Sequence, residues 1–451
     1  MLDSRDVIYW VWLSSKMPIA SAEFPKLLKY FGDPFELYRM EPDEIEQMRD
    51  ISDSVKEALT FKSLDAARET VNICKQKNIE IITYADSIYP DLLREIGDPP
   101  ILLYCKGRFP DMNSSLCIGV VGTRRMSDYG MGTTYKMTYE LARAGVVVVS
   151  GMALGIDGVS ACATLEAGGS TVCVLGSGID RIYPTEHKRL YESIVRQGGA
   201  VVSEYPLGTP PLARNFPIRN RIISGMSKGT VVMEGAIKSG SMITANLAIN
   251  QGRELFALPG RVGTVYSDGP NALIRDGAHI ALGSEDILEF YRPYYSNLID
   301  AQAYFASRAV SDIKPDSLSK YGVLYRRPQT PAEPLETQPT VSSKGARNAA
   351  KNVPSTSASP TLTQAKKTAP RPTSAEQGER IQSAPTQNAP ILATLDAASR
   401  RVYEAMPTGV AVTADALTDT GMDIGEIITA MTMLQICGLV TSMPGGQFLR
   451  K

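Results

Sequence analysis

Histidine is almost absent from this sequence, and its few cysteines are not spaced as metal ligands. The 451 residues include two histidines, His187 and His279, and six cysteines, none of them in a C-x-x-C pair. Zinc sites need clustered Cys and His ligands, so we expect no metal centre. Several cysteines lie in apolar runs, as in Thr171-Val-Cys-Val-Leu175, which predicts buried free thiols in a reducing compartment.

Long hydrophobic runs and a strong net charge are also missing. The apolar run Val7-Ile-Tyr-Trp-Val-Trp-Leu13 follows Asp3 and Asp6, and it is too short to span a bilayer. It predicts a core helix in a cytoplasmic protein without a membrane span. The formal net charge is -1, so any contact with a polyanion must use a local patch of positive charge.

The chain divides into four regions by composition and periodicity. Apolar residues recur three and four apart in residues 1–75, which indicates a small helical domain. Strand-like and helix-like segments alternate over 78–295. Residues 312–390 are rich in Pro, Ser, Thr, Ala and Gln and predict a disordered linker. Residues 391–451 predict three helices and a β-hairpin with a Gly445-Gly446 turn, which is a winged-helix pattern.

The segment 78–295 is expected to form a Rossmann-like α/β domain. Its strand candidates are short, β-branched and uniformly apolar, as expected of strands buried on both faces. An alternation of such strands with helices implies a doubly wound, mostly parallel sheet. The predicted strands are 118–121, 146–149, 172–175, 200–202, 230–233 and 255–258, and the predicted helices are 128–144, 156–167, 186–197, 217–227 and 241–251.

Glycine-rich and polar segments follow these strands, at the sheet edge where open α/β folds bind ligands. After the first strand, Gly122 permits close backbone approach, Thr123 offers a hydroxyl and Arg124 offers a guanidinium suited to phosphate. After the second, the loop that begins at Ser150 and Gly151 leads into a helix whose N-terminus predicts an anion site.

Two later segments predict further contacts with a polyanion. Phe216 stands beside Arg219, Asn220 and Arg221, a combination that suits a flexible strand, because arginines bind phosphates and the ring stacks on a base. The residues after the fifth strand surround a helix start and predict a second anion site. They are Lys238, Ser239, Gly240, Ser241 and Thr244. Two such sites and Arg124 suit successive phosphates of one strand.

No catalytic set of side chains is evident, which favours binding without chemistry. Neither histidine lies in a glycine-rich loop, and no G-x-x-x-x-G-K-[ST] segment occurs. Glu204 and Glu234 each end a strand and are expected to be structural partners of nearby arginines. Asp180, after the third strand, is expected either to orient its neighbours or to serve in a cap or turn.

Six motifs in consistent order closely resemble the DNA-processing protein A family, also called DprA or Smf, over about residues 80–290. They are Ser150-Gly-Met-Ala-Leu-Gly-Ile-Asp157, Gly176-Ser-Gly-Ile-Asp180 with Tyr183-Pro184, Ser203-Glu-Tyr-Pro206, Phe216-Pro-Ile-Arg-Asn-Arg-Ile-Ile-Ser-Gly225, Ser239-Gly-Ser-Met-Ile-Thr-Ala245 and Leu258-Pro-Gly260. The flanks are similar to that family's N-terminal SAM-like domain and C-terminal winged-helix domain.

The resemblance implies a bacterial homodimer that binds and protects incoming single-stranded DNA during natural transformation and loads the recombinase RecA onto it. It implies no catalysis and no cofactor. The DNA-contacting candidates that it implies are Gly122, Arg124, Ser150, Gly151, Phe216, Arg219, Asn220, Arg221, Lys238, Ser239, Gly240 and Ser241.

Three positions depart from the family pattern. Thr123 replaces a usual serine, His187 replaces a frequent asparagine, and Pro270 replaces the threonine of a Gly-Thr-Asn segment. The predicted helix 425–434 has no Lys or Arg, which argues against sequence-specific reading of duplex DNA and favours a partner-binding role for the winged helix.

Two other functions remain open at this point. Related Rossmann-like proteins hydrolyse nucleoside monophosphates and carry a glutamate in the second anion loop, which is absent from Lys238-Ser-Gly-Ser-Met-Ile-Thr244. A pure scaffold would have no affinity for nucleic acid.

Overall fold

The structure is a computed structural model that describes the chain from residue 6 to residue 295, residues 300, 303–304 and 315–323, and parts of the C-terminal region. In that region the described residues are 397–407, 409–413, 416–417, 422, 427, 430–431, 434, 439–443 and 447–450.

Six helices form the N-terminal part, as the periodicity predicts. They are α1 (Asp6–Lys16), α2 (Phe24–Phe31), α3 (Pro34–Arg39), α4 (Pro42–Glu46), α5 (Asp53–Thr60) and α6 (Asp65–Gln76). The apolar run of α1 is a core helix, since Trp12 and Leu13 are fully buried. Gly32 ends α2 with a positive φ of 66°, and Pro34 begins α3.

The core of these helices extends onto the first strands of the next region. Ile101, Leu102 and Tyr104 are buried in the same hydrophobic cluster as Trp12 and Phe24. The boundary near residue 78 that composition suggests is therefore not a break in packing.

One nine-stranded sheet runs through the middle of the chain. Its strands are β1 (Glu80–Thr83), β2 (Leu102–Gly107), β3 (Cys117–Val121), β4 (Val147–Ser150), β5 (Thr171–Val174), β6 (Ala200–Ser203), β7 (Gly229–Val232), β8 (Glu254–Ala257) and β9 (His279–Ile280). Their order is β1-β2-β6-β5-β4-β3-β7-β8-β9. Strands β3 to β9 are parallel, and β1 and β2 join antiparallel at the β6 edge.

Helices cover both faces of this sheet. They are α7 (Asp91–Arg94), α8 (Asp128–Arg143), α9 (Ile156–Glu166), α10 (Lys188–Arg196), α11 (Asn215–Gly225), α12 (Gly240–Asn250), α13 (Val265–Arg275) and α14 (Ser284–Tyr295). Alternate residues of one strand enter opposite cores: Ile118 and Val120 lie in one cluster, and Cys117 and Val121 in the other. This explains why the strands are apolar throughout.

The strand order places a ligand crevice between β3 and β7. The six strands β5-β4-β3-β7-β8-β9 have the order 3-2-1-4-5-6 of a doubly wound fold when numbered along the chain. That order reverses direction between β3 and β7, so the segments that follow these two strands diverge and leave a crevice at their carboxyl ends. The predicted Rossmann-like, mostly parallel sheet is confirmed.

The first residues of the predicted linker are folded, which corrects its boundary. Helix α15 (Pro315–Lys320) and the turn after it bury Leu318, Tyr321 and Val323 in the core beside α9. These three side chains supply apolar surface that the Pro- and Ser-rich sequence beyond them lacks. The rest of the predicted linker, from residue 324, lies outside the described residues.

The C-terminal region contains a helix and a small antiparallel sheet. Helix α16 (Ala397–Ala405) is followed by β10 (Ala411–Thr413), β11 (Val440–Met443) and β12 (Gln447–Arg450), in the order β10-β12-β11. The pairing of Met443 with Gln447 confirms the predicted hairpin, whose turn lies outside the described residues. Strand β10 was not predicted, and it adds a third strand beside the predicted hairpin.

Five cysteines in the described part of the chain are buried and free, as predicted. Burial raises the pKa of the Cys105 thiol to about 12, so this thiol stays protonated and unreactive at neutral pH. Among the described helices, none is long and apolar enough to cross a membrane.

Candidate nucleic-acid interface

A cleft of about 570 Å³ opens at the β3–β7 crevice. It is bounded by the loop after β3, the start of α9, the loop before η1 (Thr185–His187), helix α11 with the residues that precede it, and the start of α12. Its lining residues are Val121, Gly122, Thr123, Arg124, Arg125, Ala153, Asp157, Tyr183, Pro211, Ala213, Phe216, Pro217, Arg219, Asn220, Ile223, Ser239, Gly240, Ser241 and Thr244. Eight of the twelve predicted contacts are among them.

Arg124 and Arg125 give one wall of the cleft a positive charge. Both are exposed, and neither guanidinium has a hydrogen bond or ion pair with any residue that the structure describes. The Arg124 guanidinium carbon lies 5.3 Å from the centroid of the half-buried Phe216 ring. An arginine without a carboxylate partner at the opening of a cleft is available to bind phosphate.

The opposite wall is the N-terminus of α12. The first N–H groups of a helix have no partner within the helix, and its dipole adds partial positive charge there. Ser239 Oγ and Ser241 Oγ lie 2.8 Å apart, and Asn220 Nδ2 donates to the Gly240 carbonyl at 3.3 Å. This second predicted anion site is open to the cleft, while Lys238 is exposed beside it and does not line it.

The first predicted anion site, at the start of α9, is filled by the protein's own carboxylate. Asp157 Oδ2 accepts hydrogen bonds from the backbone N–H of Gly151 at 3.2 Å and of Ala153 at 3.4 Å. Burial raises the pKa of Asp157, and the nearby Arg219 guanidinium opposes that rise. The N–H groups of Gly151 and Ala153 are therefore already paired, so this loop offers fewer free donors to a phosphate than the sequence predicts.

Arg219 is buried beneath the cleft, where its hydrogen bonds connect α11 with the loop after β4 and with β5. Only 3% of it is exposed, and its Nη1 donates to the carbonyl oxygens of Gly151, at 2.7 Å, and of Val174. Its Nε donates to Asn220 Oδ1 at 3.2 Å. A Cβ on Gly151 would lie 2.6 Å from this guanidinium, so residue 151 must be glycine for Arg219 to fit. Arg219 lines the cleft floor as a structural residue with little surface for a phosphate.

Two further candidates are structural and lie outside the lining. Ser150 is fully buried, and its hydroxyl donates to the Val120 carbonyl at 2.8 Å. Arg221 is 3% exposed and forms ion pairs with Glu204 at 2.7 Å and with Asp98 at 3.1 Å. Helix α11 turns Arg221 away from the cleft, so the structure does not bring it together with the lining residues, and Glu204 is confirmed as an arginine partner.

Glu234 has a different partner from the one expected. Its carboxylate accepts from Ser127 N at 2.9 Å and from Ser127 Oγ at 2.5 Å, and no arginine pairs with it in the described part of the chain. Burial raises the pKa of Glu234. Asp180 Oδ1 accepts from Gly208 N at 2.8 Å, which confirms the turn role considered for it.

Sequence reasoning missed Tyr183 as a cleft residue. Its ring centroid lies 5.5 Å from that of Phe216, and 38% of the residue is exposed. Tyr183 follows a glycine-rich strand end like the other loops of the cleft, and it belongs to one of the six motifs of the family resemblance; these two signals mark it in the sequence.

The sequence matches known proteins over the region that builds this cleft. A family model described as DNA recombination-mediator protein A matches residues 80–292. The chain is 43% identical over 238 residues to Protein Smf of Escherichia coli (strain K12), which covers 52% of this chain and 63% of that protein. It is 42% identical over 215 residues to the DNA processing protein DprA of Bacillus subtilis (strain 168), which covers 48% of this chain and 72% of that protein.

A solved structure supports the same match. The X-ray structure of DNA processing protein A (DprA) from Streptococcus pneumoniae is 33% identical, with a TM-score of 0.54, and the superposition covers 62% of this chain and 97% of that chain. The matched region thus spans nearly all of the pneumococcal chain but less than two thirds of the E. coli relative.

Proposed function

Since the chain belongs to the DNA recombination-mediator protein A family, we propose that it binds single-stranded DNA in the β3–β7 cleft and acts as a recombination mediator. By the same relationship, we propose that it protects incoming DNA and loads RecA during natural transformation.

The observation that carries this proposal is the convergence of three kinds of group in one cleft. Arg124 supplies a guanidinium that is unpaired among the described residues, the start of α12 supplies the first backbone N–H groups of a helix, and Phe216 with Tyr183 supplies aromatic surface. Phosphates fit the first two, and unpaired bases fit the third. A duplex keeps its bases stacked inside the helix, so the recessed aromatic surface favours a single strand.

We propose seven of the predicted residues as direct contacts, because each lines the cleft and is not a buried structural arginine. They are Gly122, Arg124, Phe216, Asn220, Ser239, Gly240 and Ser241. Lys238 is a further candidate at the exposed side of α12. Ser150, Gly151, Arg219 and Arg221 support the cleft from within.

Binding without chemistry fits the cleft better than nucleotide hydrolysis does. Asp157 is the only carboxylate among the lining residues, and two backbone N–H groups already hold it. A general base needs access to the proton that it removes. Release of free base from a panel of nucleoside monophosphates is the result that would support the hydrolase alternative.

Homodimer formation is supported by an exposed sheet edge. Strand β9 ends the sheet, Ile280 is 51% exposed, and Leu282 just after it is 70% exposed. An open edge with apolar side chains is a template for pairing with a second copy. The buried free thiols support a reducing, cytoplasmic location.

Fluorescence anisotropy of a labelled oligonucleotide tests the proposal. We expect the protein to bind a single strand of mixed sequence more tightly than the matching duplex, with an affinity that falls as salt rises. Arg124→Ala should weaken binding, while Arg275→Ala, an exposed arginine on α13, should not. Equal affinity for both forms of DNA at low and high salt would contradict the proposal.

A further inference from the structure

The Phe216 ring is largely enclosed by its own neighbours. The Arg124 and Arg219 guanidinium carbons lie 5.3 and 5.8 Å from its centroid. A Cβ on Gly176 would lie 2.9 Å from Phe216 Cδ1, so the backbone at Gly176 is packed directly against the ring. Only the half-buried remainder of this ring can contact a base, although the sequence marks Phe216 as the stacking residue.

Tyr183 presents the more accessible aromatic surface of the same cleft. It is 38% exposed, and its ring is tilted by 45° from that of Phe216, 5.5 Å away. Its hydroxyl forms no hydrogen bond with the described residues, so internal contacts do not hold the tip of this side chain.

The loop that carries Tyr183 is held in place from both sides. Ser177 Oγ donates to the Arg181 carbonyl at 2.8 Å, and Asp180 Oδ1 accepts from Gly208 N at 2.8 Å. Pro184, the next residue, is buried. A ring on a braced loop loses little conformational freedom when a ligand stacks against it, which makes it a good binding surface.

We propose that Tyr183 is the principal stacking residue for an unpaired base, with Phe216 as the support beneath it. This inference rests on the proposed binding of single-stranded DNA and names which of the two rings the base stacks on. Arg124 and Tyr183 both lie beside Phe216, so one strand can place a phosphate on Arg124 and a nearby base on Tyr183. Stacking tolerates any base, so the contact selects unpaired bases without selecting a sequence.

The test compares Tyr183 variants on two oligonucleotides of equal length and charge, one with all its bases and one with abasic sites. Tyr183→Ala should weaken binding of the intact strand by about 5- to 100-fold, the usual range for loss of one stacked base. It should change binding of the abasic strand less than twofold. Tyr183→Phe should stay within about twofold of the parent protein on both strands.

Two controls separate stacking from packing. Tyr183→Leu keeps an apolar contact with Phe216 but has no aromatic face, so it should behave as Tyr183→Ala does. Tyr294→Ala, at a tyrosine of α14 that is 78% exposed, should leave binding unchanged. Circular dichroism melting of each variant identifies any loss caused by unfolding.

The outcomes distinguish this inference from the proposed function. If Arg124→Ala weakens binding but Tyr183→Ala does not, the stacking role is overturned and the function stands. Equal losses on the intact and abasic strands, or full binding by Tyr183→Leu, also overturn it. If the parent protein does not bind single-stranded DNA, the proposed function fails and this inference fails with it.

Discussion

The guanidinium of Arg124 lies over the ring of Phe216, with 5.3 Å between the guanidinium carbon and the ring centroid. Arg124 lies in the loop after β3 and Phe216 belongs to α11, so the fold brings together two residues that are 92 positions apart in sequence. A cation–π contact at a partly exposed site contributes about 0.5–1 kcal/mol, which is less than a charge-assisted hydrogen bond. A phosphate can therefore draw Arg124 from the ring at small cost.

Arg124→Ala should weaken binding of single-stranded DNA by about tenfold, whatever the sequence. The loss of one hydrogen bond to a charged group costs about 1.5–3 kcal/mol, and about 1.4 kcal/mol corresponds to a factor of ten. The plot of log affinity against log salt concentration should become shallower by about 0.7, the value for one phosphate contact on a single strand. Anisotropy titrations at four salt concentrations measure both quantities.

Arg124→Lys and Arg275→Ala are the controls for this prediction. The lysine keeps the charge and should retain the salt slope, while losing affinity because it lacks the planar, two-point contact. Arg275 is exposed on α13, outside the cleft, and its loss should have no effect. An Arg124→Ala protein with parental affinity and slope would remove this residue from the interface.

Arg221→Ala should destabilise the fold strongly, by about 3–5 kcal/mol, because it leaves Glu204 buried without its ion-pair partner. Urea unfolding followed by circular dichroism measures the free energy of unfolding. In conditions where the variant remains folded, its affinity for single-stranded DNA should match that of the parent protein. A large loss of affinity in the folded variant would restore Arg221 as a direct contact.

The strands of the sheet could be predicted closely because each is a short apolar run buried on both faces. The six predicted strands, such as 172–175 against β5 at Thr171–Val174, lie within a residue or so of those observed. Strands β1, β2 and β9 were missed for a physical reason. Strands β1 and β2 pair antiparallel without the helical crossover that reveals a βαβ unit, and β9 has two residues.

The sequence predicts which loops form the candidate site, but it does not predict which side chains of those loops face the cleft. Arg219 and Arg221 stand two residues apart on α11 and point in different directions. Which of them faces the cleft depends on partners far away in sequence: the Gly151 carbonyl for Arg219, and Glu204 and Asp98 for Arg221. The role of Asp157 could not be predicted from the sequence for the same reason. Its carboxylate accepts a hydrogen bond from Gly151 N only because the loop before α9 folds back onto the start of that helix.

His187 should make the stability of the protein fall in mild acid. It is fully buried, with Nδ1 3.0 Å from the Met152 carbonyl and Nε2 without a partner in the part of the chain that the structure describes, and burial lowers its pKa from 6.5. Below about pH 6.5 the His187 side chain is protonated in the unfolded chain, while in the folded protein burial disfavours its protonation. The contribution of His187 to the free energy of unfolding is therefore present above that pH and is lost as the pH falls through the folded pKa.

His187→Asn removes that titration. Urea midpoints at pH 7.5 and 5.5 should differ less in the variant than in the parent protein. His279→Asn, at the half-exposed histidine paired with Glu254, is the matched control. If His187→Asn leaves the difference between the two midpoints unchanged, the acid sensitivity arises elsewhere.

Leu282→Glu should dissociate the proposed homodimer without affecting the cleft. Leu282 is 70% exposed just beyond the edge strand β9, and Ile280 within that strand is 51% exposed. A carboxylate forced into an apolar interface loses its hydration without gaining a partner, so association should weaken by tenfold or more. Sedimentation equilibrium measures the monomer–dimer constant.

Ile249→Glu, at an exposed isoleucine of α12 that the dimer proposal does not use, is the matched control. The Leu282→Glu monomer should still bind a short oligonucleotide that occupies one cleft, because Leu282 does not line it. If Leu282→Glu remains as dimeric as the parent protein, the interface lies on another face.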